Sequence, residues 1–292
     1  MSRRAATLVG FTAVLMWSLL ALLTVASGRV PPFQLAAMTF AIGGSIGAAT
    51  WIVRRGAVSA LRQKPEVWAL GVGGLFGYHA LYFMALRLAP PAEAGLINYL
   101  WPLLIVLLSG LLLREPLRLH HIAGALIGFA STVVLIAGRG GLTLAQDYAP
   151  GLAAAFVAAF VWATYSVLSR RFAAVPTDAV AGFCLVTAVL AGICHALFEP
   201  TVWPASLAQW LAVAGLGIGP VGAAFYAWDF GVKHGDIRVL GAGSYAAPVL
   251  STALLVLAGF AAPSASLAVA AVLLAAGGLL AARDMLLKRA ED

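Results

Sequence analysis

The sequence predicts an all-α, polytopic membrane protein of ten transmembrane helices, arranged as two inverted five-helix repeats. Composition is the first reason: 62% of the 292 residues are hydrophobic and 10% are charged, whereas a typical globular domain is about 25% charged. The second is a series of long stretches without Asp, Glu, Lys or Arg, and the third is a residue pattern that recurs at a nearly constant offset. A soluble chain of this composition would expose large apolar patches and aggregate.

The charge-free stretches define the individual helices. They are 5–28, 30–53, 67–86, 94–113, 119–138, 148–169, 179–198, 200–228 and 239–282. Because about 20 apolar residues cross a bilayer, each of the first eight is expected to cross once. The ninth is interrupted by a turn at Pro263 and is expected to cross twice. The runs are continuous rather than alternating, which indicates helices and not β-strands.

The basic residues are divided unevenly between the two sides of the predicted membrane. Fifteen of the 18 Lys and Arg residues share a side with both termini, and the other side has only Arg29, Arg87 and Arg139. An excess of Lys and Arg marks the cytoplasmic side, so both termini are predicted to be cytoplasmic. The alternative is a cleaved signal peptide at 1–27, but its apolar run exceeds the usual ~7–15 residues.

A repeat relates the two halves of the chain. Residues 158–162 repeat the residue pattern of 13–17 at an offset of 145, and residues 244–248 repeat that of 98–102 at an offset of 146. Five helices per half is an odd number, so the second half enters the membrane from the opposite side. We predict a first repeat at 1–143 and an inverted second repeat at 144–292. Inverted repeats are typical of secondary transporters that bind substrate near the membrane midplane.

Polar and aromatic side chains interrupt the apolar helices at mid-membrane depth. Tyr78 and Tyr82 share a helix face, and His79 lies beside Tyr82. An ionisable residue at this depth is expected to have a functional role. The structural alternative is that His79 only forms a hydrogen bond with a neighbouring helix. The predicted substrate-binding residues are Trp17, Tyr78, His79, Tyr82, Asn98, Tyr99, Trp101, Trp162, Ser244 and Tyr245.

Three prolines lie inside predicted helices, and each frees the carbonyl four residues earlier. Pro102, Pro248 and Pro220 would free the carbonyls of Asn98, Ser244 and Leu216 respectively. In lipid such carbonyls must face protein or a wet cavity. We expect those of Asn98 and Ser244 to bind an ammonium group, and Tyr hydroxyls or His79 to meet a carboxylate. Pro102 and Pro248 are predicted hinges, with static kinks as the alternative.

The remaining features of the sequence indicate helix packing or a lack of catalytic groups. We predict close helix packing at four glycine pairs: Gly43/Gly47, Gly73/Gly77, Gly124/Gly128 and Gly215/Gly219. His120 and His121 are expected to point apart at a helix start. No acidic dyad, metal-binding cluster or Ser–His pair is evident within the membrane. We therefore predict that the protein is not an enzyme, that it needs no metal or cofactor, and that it binds no nucleic acid.

Residues 85–89, 94–102, 113–117, Gly124 and Gly128 together resemble the EamA-type module of the drug/metabolite transporter superfamily. The second half shows the same order, but Ala261 stands where the module carries Glu. Residues 98–102 are similar to those of the superfamily's aromatic amino-acid exporters. The resemblance implies ten helices, an inner-membrane location and efflux of amino acids.

The favoured function is therefore a secondary transporter that exports aromatic or neutral amino acids by alternating access, through a cavity between the repeats. A carrier for other metabolites or drugs, an importer of the same fold, an intramembrane enzyme and a channel are the alternatives. The expected partners are a small-molecule substrate and the lipid bilayer. The sequence does not set the oligomeric state, and a monomer is compatible with it.

Overall fold

A computed structural model of the chain describes residues 1–54, 57–138 and 146–284. Across these ranges there are ten long helices, numbered α1 to α10, and no strand. They span Arg3–Ala26, Pro32–Ile52, Pro65–Leu88, Pro91–Leu113, Leu119–Ala137, Ala149–Phe172, Ala179–Phe198, Leu207–His234, Ile237–Leu257 and Ala265–Ala281. The first nine are long and apolar enough to cross a membrane, and α10, with 17 residues, meets the lower limit of about 17. The predicted all-α polytopic class is confirmed.

Proline and capping side chains set the starts of these helices. Pro32, Pro65 and Pro91 each occupy the first turn of a helix, where a missing N–H costs nothing. Ser206 and Ser264 accept hydrogen bonds from the N–H groups three residues later, at 3.3 and 3.2 Å. These side chains satisfy backbone donors that have no partner within the helix.

The helices alternate in direction between two ends of the bundle. We call the end that holds Arg3 and Asp284 the terminal end, and the other the far end. At the terminal end Arg54, which follows α2, forms an ion pair with Asp178, which precedes α7. At the far end the Glu199 carboxylate, after α7, accepts the N–H groups of Phe33 and Gln34 in α2. Thus α2 and α7 lie antiparallel.

The packing of the ten helices follows a pattern that exchanges the two halves. Helices α2 and α7 pack together, and so do α5 and α10. Helix α1 packs against α8 and α9, while α6 packs against α3 and α4. If five is added to or subtracted from every helix number, the same set of contacts results. Helices α1, α3, α4, α6, α8 and α9 enclose the centre of the bundle.

Two of the four predicted glycine pairs lie at close helix contacts. A Cβ on Gly124 would lie 2.6 Å from the Gly277 carbonyl oxygen, and one on Gly43 would lie 2.7 Å from the Gly222 Cα. The prediction of close packing is wrong for the other two pairs, because a Cβ on Gly77 or Gly215 would make only an ordinary contact, at 3.8 or 3.6 Å, and one on Gly73 or Gly219 would meet nothing within 4 Å. Those glycines instead begin turns of π-helix, Gly73–Gly77 and Gly219–Ala223.

Alanine at Gly277 is expected to lower the melting temperature of the protein, because its Cβ would lie 2.8 Å from the Gly124 carbonyl oxygen and push α10 from α5. The matched control is Gly278→Ala next to it, whose Cβ meets nothing within 4 Å and which should gain about 0.5–1 kcal/mol of helix stability. Thermal unfolding in detergent measures both variants. Equal melting temperatures would contradict the close contact.

Five helices are interrupted near the centre of the bundle. Besides the π turns in α3 and α8, α1 breaks at Leu19, α4 at 99–100 and α9 at 244–245. The π turns in α3 and α8 begin 146 residues apart, and the breaks in α4 and α9 begin 145 apart. Residues at or near all five interruptions line one cavity: Leu20, Tyr78, Tyr99, Val221 and Ala247.

The structure corrects one expectation about the prolines. Pro102 and Pro248 lie in the first turn of the segments that follow the breaks, Trp101–Leu113 and Ala246–Leu257, where proline is tolerated. The prediction of a freed carbonyl at Ser244 is wrong, because that carbonyl accepts the Ala247 N–H at 3.0 Å. A tight turn of the backbone replaces the bond that proline removes.

Candidate functional site

A central cavity of about 250 Å³ lies among α1, α3, α4, α6, α8 and α9. Its volume is below the roughly 300 Å³ at which drug-sized pockets begin, so it suits a small metabolite. No lining residue is Asp, Glu, Lys or Arg. Eight of the ten predicted site residues line it: Trp17, Tyr78, His79, Tyr82, Asn98, Tyr99, Trp101 and Trp162.

Tyrosines and an amide form the polar side of the central cavity. The rings of Tyr78 and Tyr82 stack with centroids 6.0 Å apart, as their spacing of one helical turn allows. The Asn98 amide nitrogen donates to the Tyr78 hydroxyl at 3.0 Å. The Asn98 Oδ1 atom is buried and has no hydrogen-bond partner among the described residues. A buried acceptor without a donor is costly, so this oxygen is suited to a ligand.

His79 faces the same cavity from the turn after the π-helical segment of α3. Its Nδ1 lies 2.7 Å from the Leu75 carbonyl oxygen, which can only accept, so Nδ1 carries a proton. In the neutral ring Nε2 is then an acceptor. Phe40 and Phe225 lie against the imidazole at centroid distances of 5.0 and 6.2 Å. These apolar neighbours favour the neutral ring, contrary to our expectation that His79 could meet a carboxylate.

Four indoles close the central cavity towards the terminal end. This tryptophan cluster consists of Trp17, Trp101, Trp162 and Trp228, with paired centroids 5.1 to 6.2 Å apart. The Trp17 indole N–H donates to the Pro220 carbonyl at 3.0 Å. Trp228 is fully buried but was not among the predicted site residues, because near a helix end a Trp also fits the membrane interface. The signal that could have identified Trp228 is its position about one helical turn after Phe225, which lines the cavity.

Ser244 and Tyr245 are the two predicted residues that lie off the cavity wall. The Ser244 hydroxyl donates to the Leu240 carbonyl at 2.7 Å. The Tyr245 ring packs where Gly128 has no side chain, 2.5 Å from the place that a Cβ would take. The break in α9 turns both residues away from the cavity, and Ala247 and Ser251 face it instead.

Ion pairs join the helix ends at the terminal end. Arg3 reaches Asp236 at 3.2 Å and Glu115 at 3.8 Å, while Arg170 reaches Glu115 at 3.2 Å. Burial tends to raise the pKa of Asp236, but its hydrogen bonds with Arg238 and the charge of Arg3 outweigh burial and hold this pKa below its usual value. The last turn of α6 and the loops after α4 and α8 therefore meet the start of α1 in one charged network.

A buried ion pair lies deeper, on the last turns of α8. Asp229 and Lys233 are 2.8 Å apart, and their side chains are 3% and 4% exposed. Thr177 donates to Asp229 at 2.7 Å, and Lys233 donates to the Val175 carbonyl at 2.9 Å. Both outside partners belong to the connection between α6 and α7. Both residues follow the charge-free stretch 200–228, and nothing in the sequence predicted that they are buried.

His120 and His121 are close together rather than pointing apart, with ring centroids 4.2 Å from each other. His120 Nε2 lies 3.3 Å from Asp284, whose other oxygen accepts from Arg118 at 2.9 Å. The His121 Nδ1 accepts the Arg118 N–H at 3.2 Å. These bonds join the start of α5 to the end of α10. The three side chains could together approach a metal ion, although the Arg118 cation already neutralises Asp284.

Among the described residues, ten apolar helices, six of which enclose an uncharged aromatic cavity, define the class of multi-pass membrane proteins. The chain belongs to the EamA-like transporter family, whose sequence profile matches residues 4–137 and again 149–283. The resemblance found in the sequence is thereby confirmed, and the chain is a transporter and not an enzyme.

Three relatives of the chain have names that state the same class of substrate. The aromatic amino acid exporter YddG of Ancylobacter novellus is 61% identical over 282 residues, which cover 96% of this chain and 98% of that protein. The exporters of the same name from Salmonella typhimurium and Escherichia coli are 28% and 26% identical, each alignment covering 87% of this chain and 88% of the relative. A solved crystal structure, 60% identical, superposes with a TM-score of 0.94 over 100% of both chains.

Proposed function

We propose that this transporter exports aromatic amino acids across the inner membrane, from the terminal end of the bundle to the far end. The observation that supports this most directly is the central cavity, which combines uncharged hydrogen-bonding groups with a wall of indole rings. An aromatic amino acid is a zwitterion with no net charge and one flat apolar group. The names of the relatives point to the same substrate class.

The two polar groups of such a substrate have separate partners in the cavity. The ammonium needs acceptors, and Asn98 Oδ1 and the Nε2 of a neutral His79 supply them. The carboxylate needs donors, and the hydroxyls of Tyr82 and Tyr99 supply them. The aromatic side chain then lies against the tryptophan cluster, whose rings offer flat apolar surface at low entropic cost.

The absence of formal charge from the cavity lining favours substrates without net charge. Transferring an unpaired charge from water into an apolar protein interior is costly, and no lining side chain is Asp, Glu, Lys or Arg. Aspartate and lysine would each bring one uncompensated charge. We therefore expect phenylalanine, tyrosine and tryptophan to be preferred to both.

We infer that transport proceeds by alternating access between two inverted repeats, 1–143 and 144–292. The exchange pattern of helix contacts, the paired interruptions and the twofold match of the family profile support the repeat. Leu20, Tyr82 and Ser251 extend the cavity towards the far end, while the tryptophan cluster and the ion pairs occupy the terminal end. With both termini in the cytoplasm, we infer that this conformation faces the outside.

Counterflow tests the substrate and the mechanism together. Purified protein is reconstituted in separate batches of liposomes, each loaded with one unlabelled compound (phenylalanine, aspartate, lysine or a cationic drug), and the entry of the same labelled compound is followed. We expect phenylalanine to overshoot its equilibrium level, as only a saturable carrier allows. Overshoot with the drug alone would favour drug efflux, and labelled flux without exchange would favour a channel. Thiol labelling of Ser2→Cys from outside intact cells, in a protein with Cys184 and Cys194 replaced by alanine, would contradict cytoplasmic termini.

Alanine at Pro102 or Pro248 is expected to slow transport without reducing the amount of folded protein. Each proline follows a helix break at equivalent positions in the two halves, and alanine restores a backbone donor that can extend the helix across the break. Counterflow rates and detergent-solubilised yield measure the effect, with Pro204→Ala in the connection before α8 as a control. Wild-type rates for both variants would mean that the breaks are static.

A further inference from the structure

A second pocket lies between the tryptophan cluster and the terminal end. This side pocket has a volume of about 10 Å³, which is close to the least that can hold one water molecule. Its walls include Tyr165, Phe172 and Phe183, and its polar side is the buried pair Asp229 and Lys233. The central-cavity mechanism above uses neither charge.

The hydrogen bonds of this ion pair show what it loses when the terminal end opens. The carboxylate of Asp229 accepts from the Thr177 hydroxyl, and the ammonium of Lys233 donates to the Val175 carbonyl. Both partners belong to the connection from α6 to α7, whereas both charges belong to α8. Moving that connection away from α8 therefore removes one donor from Asp229 and one acceptor from Lys233.

A zwitterionic amino acid can replace both of the hydrogen-bonding partners that opening removes, a donor and an acceptor. Its ammonium can donate to Asp229 and its carboxylate can accept from Lys233, and the two are attached to one carbon, as the two charges are adjacent at 2.8 Å. After opening, Asp229 and Lys233 remain paired with each other, but each has lost one hydrogen bond, and a polar group without its partner is unfavourable. The amino acid replaces both lost bonds, whereas a molecule with only one of the two groups replaces one.

We propose that Asp229 and Lys233 become an entry subsite for the α-ammonium and α-carboxylate of the amino acid when the α6–α7 connection moves away from α8 and enlarges the side pocket, and that binding there stabilises the open terminal end. The aromatic side chain lies against Tyr165, Phe172 and Phe183. Tyr165 contacts Trp162 at a centroid distance of 5.3 Å, and Trp228 precedes Asp229 in the chain. The tryptophan cluster thus separates the entry subsite from the central cavity. The proposal rests on the proposed function in taking an amino acid as the substrate.

Thiol accessibility tests the entry subsite in the full-length protein. Ser169 is buried beside the side pocket, so Ser169→Cys, with Cys184 and Cys194 replaced by alanine, reports on opening of the terminal end. The probes are phenylalanine, phenethylamine and 3-phenylpropionate, added with a water-soluble maleimide to protein in detergent. We expect phenylalanine to raise the labelling rate about tenfold, within the ~5- to 150-fold range of coupled sites, and the other two compounds to leave it unchanged.

Two double variants separate a binding role from a structural one. Asp229→Leu with Lys233→Met replaces the pair by apolar groups, which is often tolerated, and should remain folded but lose the response to phenylalanine. Lys64→Ala with Glu66→Ala removes an exposed pair 3.9 Å apart and should keep the response. An undiminished response in the first variant, or an equal response to phenethylamine, would overturn the entry subsite. If wild-type counterflow of phenylalanine succeeds in that case, the proposed function stands.

Discussion

Replacing Trp162 with alanine is expected to abolish phenylalanine counterflow and to lower the melting temperature sharply. Trp162 lies at the middle of the tryptophan cluster, with ring centroids 5.3 to 6.2 Å from six other aromatic side chains. Truncating a buried Trp to Ala costs about 3–5 kcal/mol of folding free energy. The space that it leaves would also join the central cavity to the side pocket.

The matched control is Trp203→Ala. Trp203 is 61% exposed, and its only described ring contact is a stack on Trp210, so its loss should change neither counterflow nor melting temperature. Trp162→Phe keeps a flat ring and should recover most of the stability. Wild-type counterflow in Trp162→Ala would exclude the tryptophan cluster from the transport path.

The second large effect is expected from Glu199→Ala at the far end. The Glu199 side chain is 1% exposed and lies 3.0 Å from Arg87 and 3.2 Å from His195. It also accepts the first N–H groups of α2, those of Phe33 and Gln34, at 3.1 Å. Each buried donor left without a partner costs about 1–3 kcal/mol, so we expect a large fall in melting temperature and a reduced yield of folded protein.

Two substitutions show whether the charge or the hydrogen bonds matter at this position. Glu199→Gln retains an acceptor for α2 but removes the ion pair with Arg87, and an intermediate melting temperature is expected. Glu66→Ala removes an exposed carboxylate in the first turn of α3, paired only loosely with Lys64, and should be neutral because exposed pairs contribute little. A melting temperature of Glu199→Ala equal to that of Glu66→Ala would contradict the role assigned to Glu199.

The cavity could be predicted in large part because membrane helices obey simple rules of depth and phase. Tyr78, Tyr82 and His79 were assigned to one site by their spacing within an apolar stretch, and all three line the central cavity. The same reasoning failed at Ser244 and Tyr245, since the break in α9 changes the helical phase. The repeat equates these two residues with Asn98 and Tyr99, but equivalence in sequence does not place two residues on the same side of one cavity.

The sequence by itself determined the class, the number of helices and the depth of the candidate site, because an apolar stretch in a bilayer must close its own hydrogen bonds and can do so only as a helix. Only the tertiary structure decided which charges are buried. Asp229, Lys233 and Glu199 lie close to helix ends, where a residue is equally able to face water or protein. Their burial follows from contacts with the α6–α7 connection and with the start of α2, and such long-range contacts leave no periodic signal in the chain.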